Sequence, residues 1–214
     1  MANNNFYTKG EEIANAITHG IGSLLAIAGL VILVVQSARY GDPWYITSYS
    51  IFGACMIILY LESTLYHSLP GKTVKKVFRV FDHCSIYLLI AGTYTPYILT
   101  SLRDPLGFTI FGIEWGLAIL GIVIKSFTTG KFEKLSTLIY LLMGWLIILH
   151  IKKLSIVVPT ISIIYLIAGG LSYSLGCILF IKDNIPYNHP IWHLFVIAGT
   201  TFHFFSLLYM IPKV

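Results

Sequence analysis

Long apolar runs alternate with short polar breaks along this chain, and the runs are of membrane-crossing length. A bilayer span needs about 20 mainly apolar residues. On that basis the pattern predicts seven spans, at 20–38, 44–66, 81–100, 106–125, 134–151, 155–181 and 190–211. The breaks carry turn chemistry: Tyr-Gly-Asp-Pro at 40–43, Leu-Pro-Gly-Lys at 69–72, Arg-Asp-Pro-Leu-Gly at 103–107, Thr-Thr-Gly-Lys at 128–131 and Lys-Asp-Asn-Ile-Pro at 182–186. Spans five and six are separated only by the Lys152-Lys153 junction, yet a single helix from 134 to 181 would far exceed a bilayer. The expected fold is therefore an all-α membrane protein, a seven-helix bundle formed by residues 20–214 after a cytoplasmic segment of residues 1–19.

Composition agrees. Of 214 residues, 57% are hydrophobic and 11% charged, against about 25% charged in soluble domains. Alternating strands of the kind that build an outer-membrane barrel are absent from the pattern. The net charge of +5 lies in short loops, which points to orientation and lipid head groups and away from nucleic acid. Cys55, Cys84 and Cys177 lie in mostly apolar surroundings and read as small buried hydrophobes more readily than as a disulfide. The N-terminal stretch carries Glu11 and Glu12 and no early apolar run, so it does not read as a cleaved signal peptide. With the N-terminus inside, nine Lys and Arg fall on the cytoplasmic side and five outside, favouring a cytoplasmic N-terminus and an extracytoplasmic C-terminus.

That topology brings scattered polar residues to one depth. Ser63 and His67 close span two on the cytoplasmic side, Asp82 lies near the cytoplasmic start of span three, and His189 and His193 open span seven. Ionisable residues inside a membrane are rare and functional by default. His189 and His193, four apart, share a helical face. With His67 they make three neutral imidazoles and leave one open position, the ligand set of many catalytic zinc sites. Zinc would turn water into a nucleophile at neutral pH, Asp82 would serve as general base, and Ser63 would orient the water or donate to a developing oxyanion.

Plainer readings stand beside these. His67 and His189 can be interfacial anchors, Ser63 can bond a backbone carbonyl of its own helix, and Asp82 can pair with Arg79. His203 lies ten residues beyond His193, about 15 Å along a helix, too far to share a metal, and reads as a buried residue satisfied by a neighbouring helix. His83 is expected at an interface or behind the site, and His150 at the outer boundary. Glu12, Asn15 and His19 share one helical face and read as a supporting or packing cluster.

Glu12-x2-Asn15-x3-His19, Ser63-x3-His67, Asp82-His83 followed by Ile90-Ala91-Gly92-Thr93-Tyr94-Thr95-Pro96, and His189-Pro190-x2-His193 together resemble the hemolysin III family. That family is the bacterial branch of the progestin and adipoQ receptor superfamily, grouped more widely with alkaline ceramidases. The resemblance covers nearly the whole chain. It implies seven helices with the N-terminus inside, zinc on His67, His189 and His193, and Asp82 and Ser63 beside the bound water. The implied activity is hydrolysis of an amide or ester in a membrane lipid such as a ceramide, acyl-amide or phospholipid. Cytolysis, for which the family is named, and a sensor with structural zinc are the alternatives. No polar stripe runs the length of a span, so the sequence offers no evident pore lining.

Overall fold

The structure is a computed structural model that describes residues 7–182 and 185–212. All the regular structure among them is helical. Helix α1 (Lys9–Tyr40) starts eleven residues before the expected span, because Thr8 and Glu11 form a capping box that nucleates the helix in its polar approach. α2 (Pro43–Ser68) and α4 (Pro105–Thr128) begin alike, with Asp42 or Asp104 as N-cap and proline in the first turn. Gly71, at φ 101°, makes the left-handed turn into α3 (Lys72–Ser101). α5 (Glu133–Gly144), a 3₁₀ stretch (Leu146–His150) and α6 (Ile151–Val157) form one interrupted rod. α7 (Thr160–Phe180) and α8 (Asn188–Met210) complete the chain.

The boundary expected at Lys152-Lys153 lies instead at Val158-Pro159. Lysines do not break helices, whereas proline disfavours helical backbone at the residue before it. Of the turn expected at 182–186, residues 183 and 184 lie outside the described residues. Among the described residues, six helical segments are long and apolar enough to cross a membrane: α1, α2, α4, the α5–α6 rod, α7 and α8. α3, the expected third span, is longer than most of these but more polar, and is not among the six.

Its position in the bundle accounts for that polarity. α3 packs against α2, α4, α5 and α8, while α8 closes the bundle between α1 and α7. A helix enclosed by others can bury polar groups against protein. Asp82, Ser85, Thr93 and Thr95 are all buried. The core runs through Tyr49, Phe52, Met56 and Leu59 of α2, Tyr94, Tyr97 and Ile98 of α3, and Val196 and Leu207 of α8. Tyrosine hydroxyls tie these helices together: Tyr49 donates to the Leu207 carbonyl at 2.8 Å and Tyr97 to Ser206 Oγ at 2.7 Å. Outward-facing Leu24, Ile119, Leu142 and Leu175 are exposed, as side chains facing hydrocarbon should be.

The break in the α5–α6 rod has a visible cause. Tyr94 Oη donates to the Met143 carbonyl at 2.7 Å and accepts the Ile147 N–H at 2.9 Å. One side-chain hydroxyl thus satisfies the Ile147 N–H, which the broken ladder would otherwise leave orphaned, and gives the Met143 carbonyl a strong donor.

Candidate metal centre

α2 ends, and α8 begins, at one end of the bundle, and the start of α1 runs beside both. This convergence brings His67, His189 and His193 together: one ring nitrogen from each lies within 4.8 Å of the others. His67 and His193 are buried and His189 is partly so.

Their hydrogen bonding shows which nitrogens are free. His67 Nδ1 lies 2.6 Å from Glu12 Oε2, with the Asn15 amide 3.3 Å away. A carboxylate only accepts, so Nδ1 carries the hydrogen and Nε2 a lone pair. His193 Nδ1 lies 3.1 Å from Thr18 Oγ1, whose own hydrogen goes back to the carbonyl of Ala14 or Asn15, each at 2.9 Å. Nδ1 of His193 is therefore also the donor. The Nε2 atoms of His67, His189 and His193 are all buried without a hydrogen-bond partner. Buried polar atoms in proteins are usually paired, and here both ring nitrogens of the adjacent His19 are unpartnered as well. Three clustered imidazoles with unpartnered Nε2 atoms, two of them held from behind by oxygen so that Nε2 carries the lone pair, are a donor set that fits a metal ion.

The surroundings are aromatic and acidic. His19 stacks on His193 with ring centroids 3.5 Å apart and meets Tyr60 edge-on. Tyr7 covers the cluster, its ring 4.8 Å from that of His189 and 5.5 Å from that of His67. Burial above all, with added repulsion from Tyr66 and Asp82, raises the Tyr7 phenol far above its ordinary range, so it stays neutral. Glu12 also accepts from Lys75 Nζ at 2.6 Å, fastening the start of α3 to α1.

Ser63 is fully buried one turn before His67, and its Oγ has no partner, so it does not bond a carbonyl of its own helix. Asp82 is buried on α3 and lies within electrostatic reach of Tyr7, Tyr66 and Glu62. It is not part of the three-histidine group. His203 is separate, 3.3 Å from the Leu166 carbonyl. His83 pairs with Glu133 at 3.4 Å, and His150 lies 2.9 Å from both carboxylate oxygens of Asp104. All three cysteines are free.

Tyr7 and Thr18 are neighbours of the cluster that the sequence did not mark. Thr18 follows Asn15 by three and shares its face, a usable signal. Tyr7 precedes the helix, where no periodicity reports on position.

A helical, multi-pass membrane protein with three clustered histidines able to hold a metal is thus defined. The chain matches the family model for haemolysin-III related proteins over residues 7–204 and belongs to that family. It is 49% identical to Hemolysin-3 of Bacillus cereus over 203 residues, covering 94% of this chain and 93% of that protein. Identity is also 49% to the Hemolysin-3 homolog of Bacillus subtilis over 208 residues, 97% of this chain and 98% of the other. The human monocyte to macrophage differentiation factor is 30% identical over 203 residues, 92% of this chain and 83% of its own length. The protein is accordingly a multi-pass protein of the cell membrane.

Proposed function

We propose that the chain is a zinc-dependent hydrolase of amide or ester bonds in membrane lipids, with seven spans, a cytoplasmic N-terminus and an extracytoplasmic C-terminus. Zinc would be held by His67, His189 and His193. The observation that carries the reading is the set of three orphaned Nε2 atoms, of which those on His67 and His193 are fixed in tautomer by Glu12 and Thr18. Bound there, zinc supplies a Lewis acid and a means of activating water at neutral pH. Asp82 takes the proton of the attacking water on a carboxylate oxygen and returns it to the departing amine or alkoxide. The unpartnered Ser63 hydroxyl is free to donate to the developing oxyanion. Tyr7, as a neutral phenol, covers the site and limits the entry of bulk water.

A lipid substrate is supported by a cavity of about 110 Å³ enclosed mainly by α3, the α5–α6 rod, α7 and α8, with a mostly apolar wall. Trp192 lines it, and the same indole packs beside His189 and His193, with ring centroids 5.1 Å and 5.4 Å away. An acyl chain in the cavity would leave its head-group linkage beside the histidines.

The test combines metal analysis with incubation of zinc-loaded protein with ceramides, acyl-amides and phospholipids, scoring free fatty acid. One zinc per chain is expected, and its loss in the His189→Ala, His193→Ala double variant. Asp82→Asn should keep the zinc and cut turnover by about 10²–10⁴-fold, the usual worth of general acid–base catalysis. Zinc present with no release across the panel would remove the hydrolase reading. The name of the Bacillus relatives favours a second reading, membrane permeabilisation. It requires dye release from protein-free liposomes, unaffected by Asp82→Asn.

A further inference from the structure

The wall of the cavity is chemically uneven. Six lining side chains carry hydroxyls, and all six are satisfied by protein. Thr93 donates to the Leu89 carbonyl, Tyr140 to that of His83 and Ser174 to that of Gly170. Tyr94 spans the break in the α5–α6 rod, Tyr97 bonds Ser206 and Tyr173 bonds Thr200. His203 differs. Its Nε2 is 3.3 Å from the Leu166 carbonyl, which can only accept, so Nε2 carries the hydrogen. Nδ1 is then a pure acceptor. It is buried without a partner, the one such side-chain nitrogen or oxygen in this lining among the described residues.

The ring is held in that orientation. A Cβ at position 169 would fall 2.2 Å from His203 Cδ2 and 2.4 Å from Nε2, so only glycine lets the imidazole lie against α7. Tyr173 packs beside it, ring centroids 5.5 Å apart. His203 is 8% exposed, so bulk water does not satisfy Nδ1. An unpaired buried acceptor costs about 1–3 kcal/mol. A resident water needs about two to four polar partners, and the neighbouring hydroxyls are already engaged with protein.

We propose that His203 Nδ1 is a hydroxyl-recognition site within a lipid-chain cavity, and that the preferred ligands are long-chain lipids hydroxylated along the chain. The ligand hydroxyl donates to Nδ1 while the remaining chain contacts the apolar wall. His203 lies ten residues beyond His193 on α8, about 15 Å along the axis, so the recognised group is well down the chain and distinct from the head-group linkage. The proposal rests on the reading of the cavity as a chain site. It does not require hydrolysis.

The experiment measures equilibrium binding of stearate and of hydroxystearate, hydroxylated near mid-chain, to the full-length protein in nanodiscs. Wild type, Asp82→Asn and His203→Phe are compared, with zinc content and monodispersity confirming that each is folded. Wild type should favour hydroxystearate by about tenfold, the equivalent of one hydrogen bond to an otherwise unpaired buried group. Asp82→Asn should keep that preference even if no lipid is ever hydrolysed, which separates this proposal from the hydrolase reading. His203→Phe, with no acceptor to satisfy, should lose the preference and bind stearate at least as well as wild type. Equal affinities in wild type would overturn the proposal, as would a preference that survives His203→Phe. Failure of both fatty acids to bind would overturn it too, along with the chain-site reading of the cavity.

Discussion

His67 presents Nε2 to the cluster because Nδ1 is already committed to Glu12 at 2.6 Å. Orientation of this kind commonly accounts for 10–100-fold in metal affinity. If zinc is held there as proposed, Glu12→Gln should weaken its binding by about that factor in a competition titration, since an amide oriented to donate would favour the wrong tautomer. Unchanged affinity would show that Glu12 acts only through Lys75. At this scale the sequence was informative wherever helical spacing applies. His189 and His193 share a face by their spacing of four, and the Glu12, Asn15 and His19 face was visible in the same way. The division of labour within that face was not. Glu12 and Asn15 contact His67, whereas His19 stacks on His193, and the difference depends on how α1 crosses α2 and α8.

Among the elements, the interrupted α5–α6 rod departs most from the sequence pattern. Its apolar periodicity continues through Gly144 and Trp145, so nothing local announces the 3₁₀ stretch. The cause is a side chain from another helix, Tyr94. Tyr94→Phe leaves the Ile147 N–H unpaired and removes the tyrosine donor from the Met143 carbonyl, and should cost about 1–3 kcal/mol, seen as a lower thermal midpoint in detergent. A midpoint equal to wild type would mean that the break is sustained by backbone alone. At the start of α4, Asp104 caps the helix and holds His150 and Lys153. Lys153 foremost, then the Gly107 N–H and His150, hold its carboxyl below the ordinary aspartate range. A depressed folded-state value means a contribution fully present above the unfolded carboxyl pKa, about 3.9, and lost as pH falls further toward the folded value. Wild type should thus lose stability more steeply than Asp104→Asn below about pH 4. Parallel melting curves across that range would exclude the Asp104 contribution.

For the whole molecule, the question is whether α3 crosses the membrane. The sequence pattern predicts a span at 81–100, while length and apolarity alone admit six other segments among the described residues. The two views differ because apolarity measures what faces lipid, and α3 is surrounded on several sides by α2, α4, α5 and α8. Its Asp82, Ser85, Thr93 and Thr95 are buried against protein, where polar groups in a membrane are tolerated. Its length also fits a crossing. α3 runs 30 residues, about 45 Å at 1.5 Å per residue, more than an apolar thickness of about 30 Å. Parity then gives a sharp outcome. Seven crossings would place the two termini on opposite sides, and the nine-to-five bias of Lys and Arg would then favour the N-terminus inside. A reporter fused after residue 214 should behave as extracytoplasmic, and one fused before residue 1 as cytoplasmic. Both reporters on one side would mean six crossings. In that case His67 would have to meet His189 and His193 by a route other than a shared membrane depth.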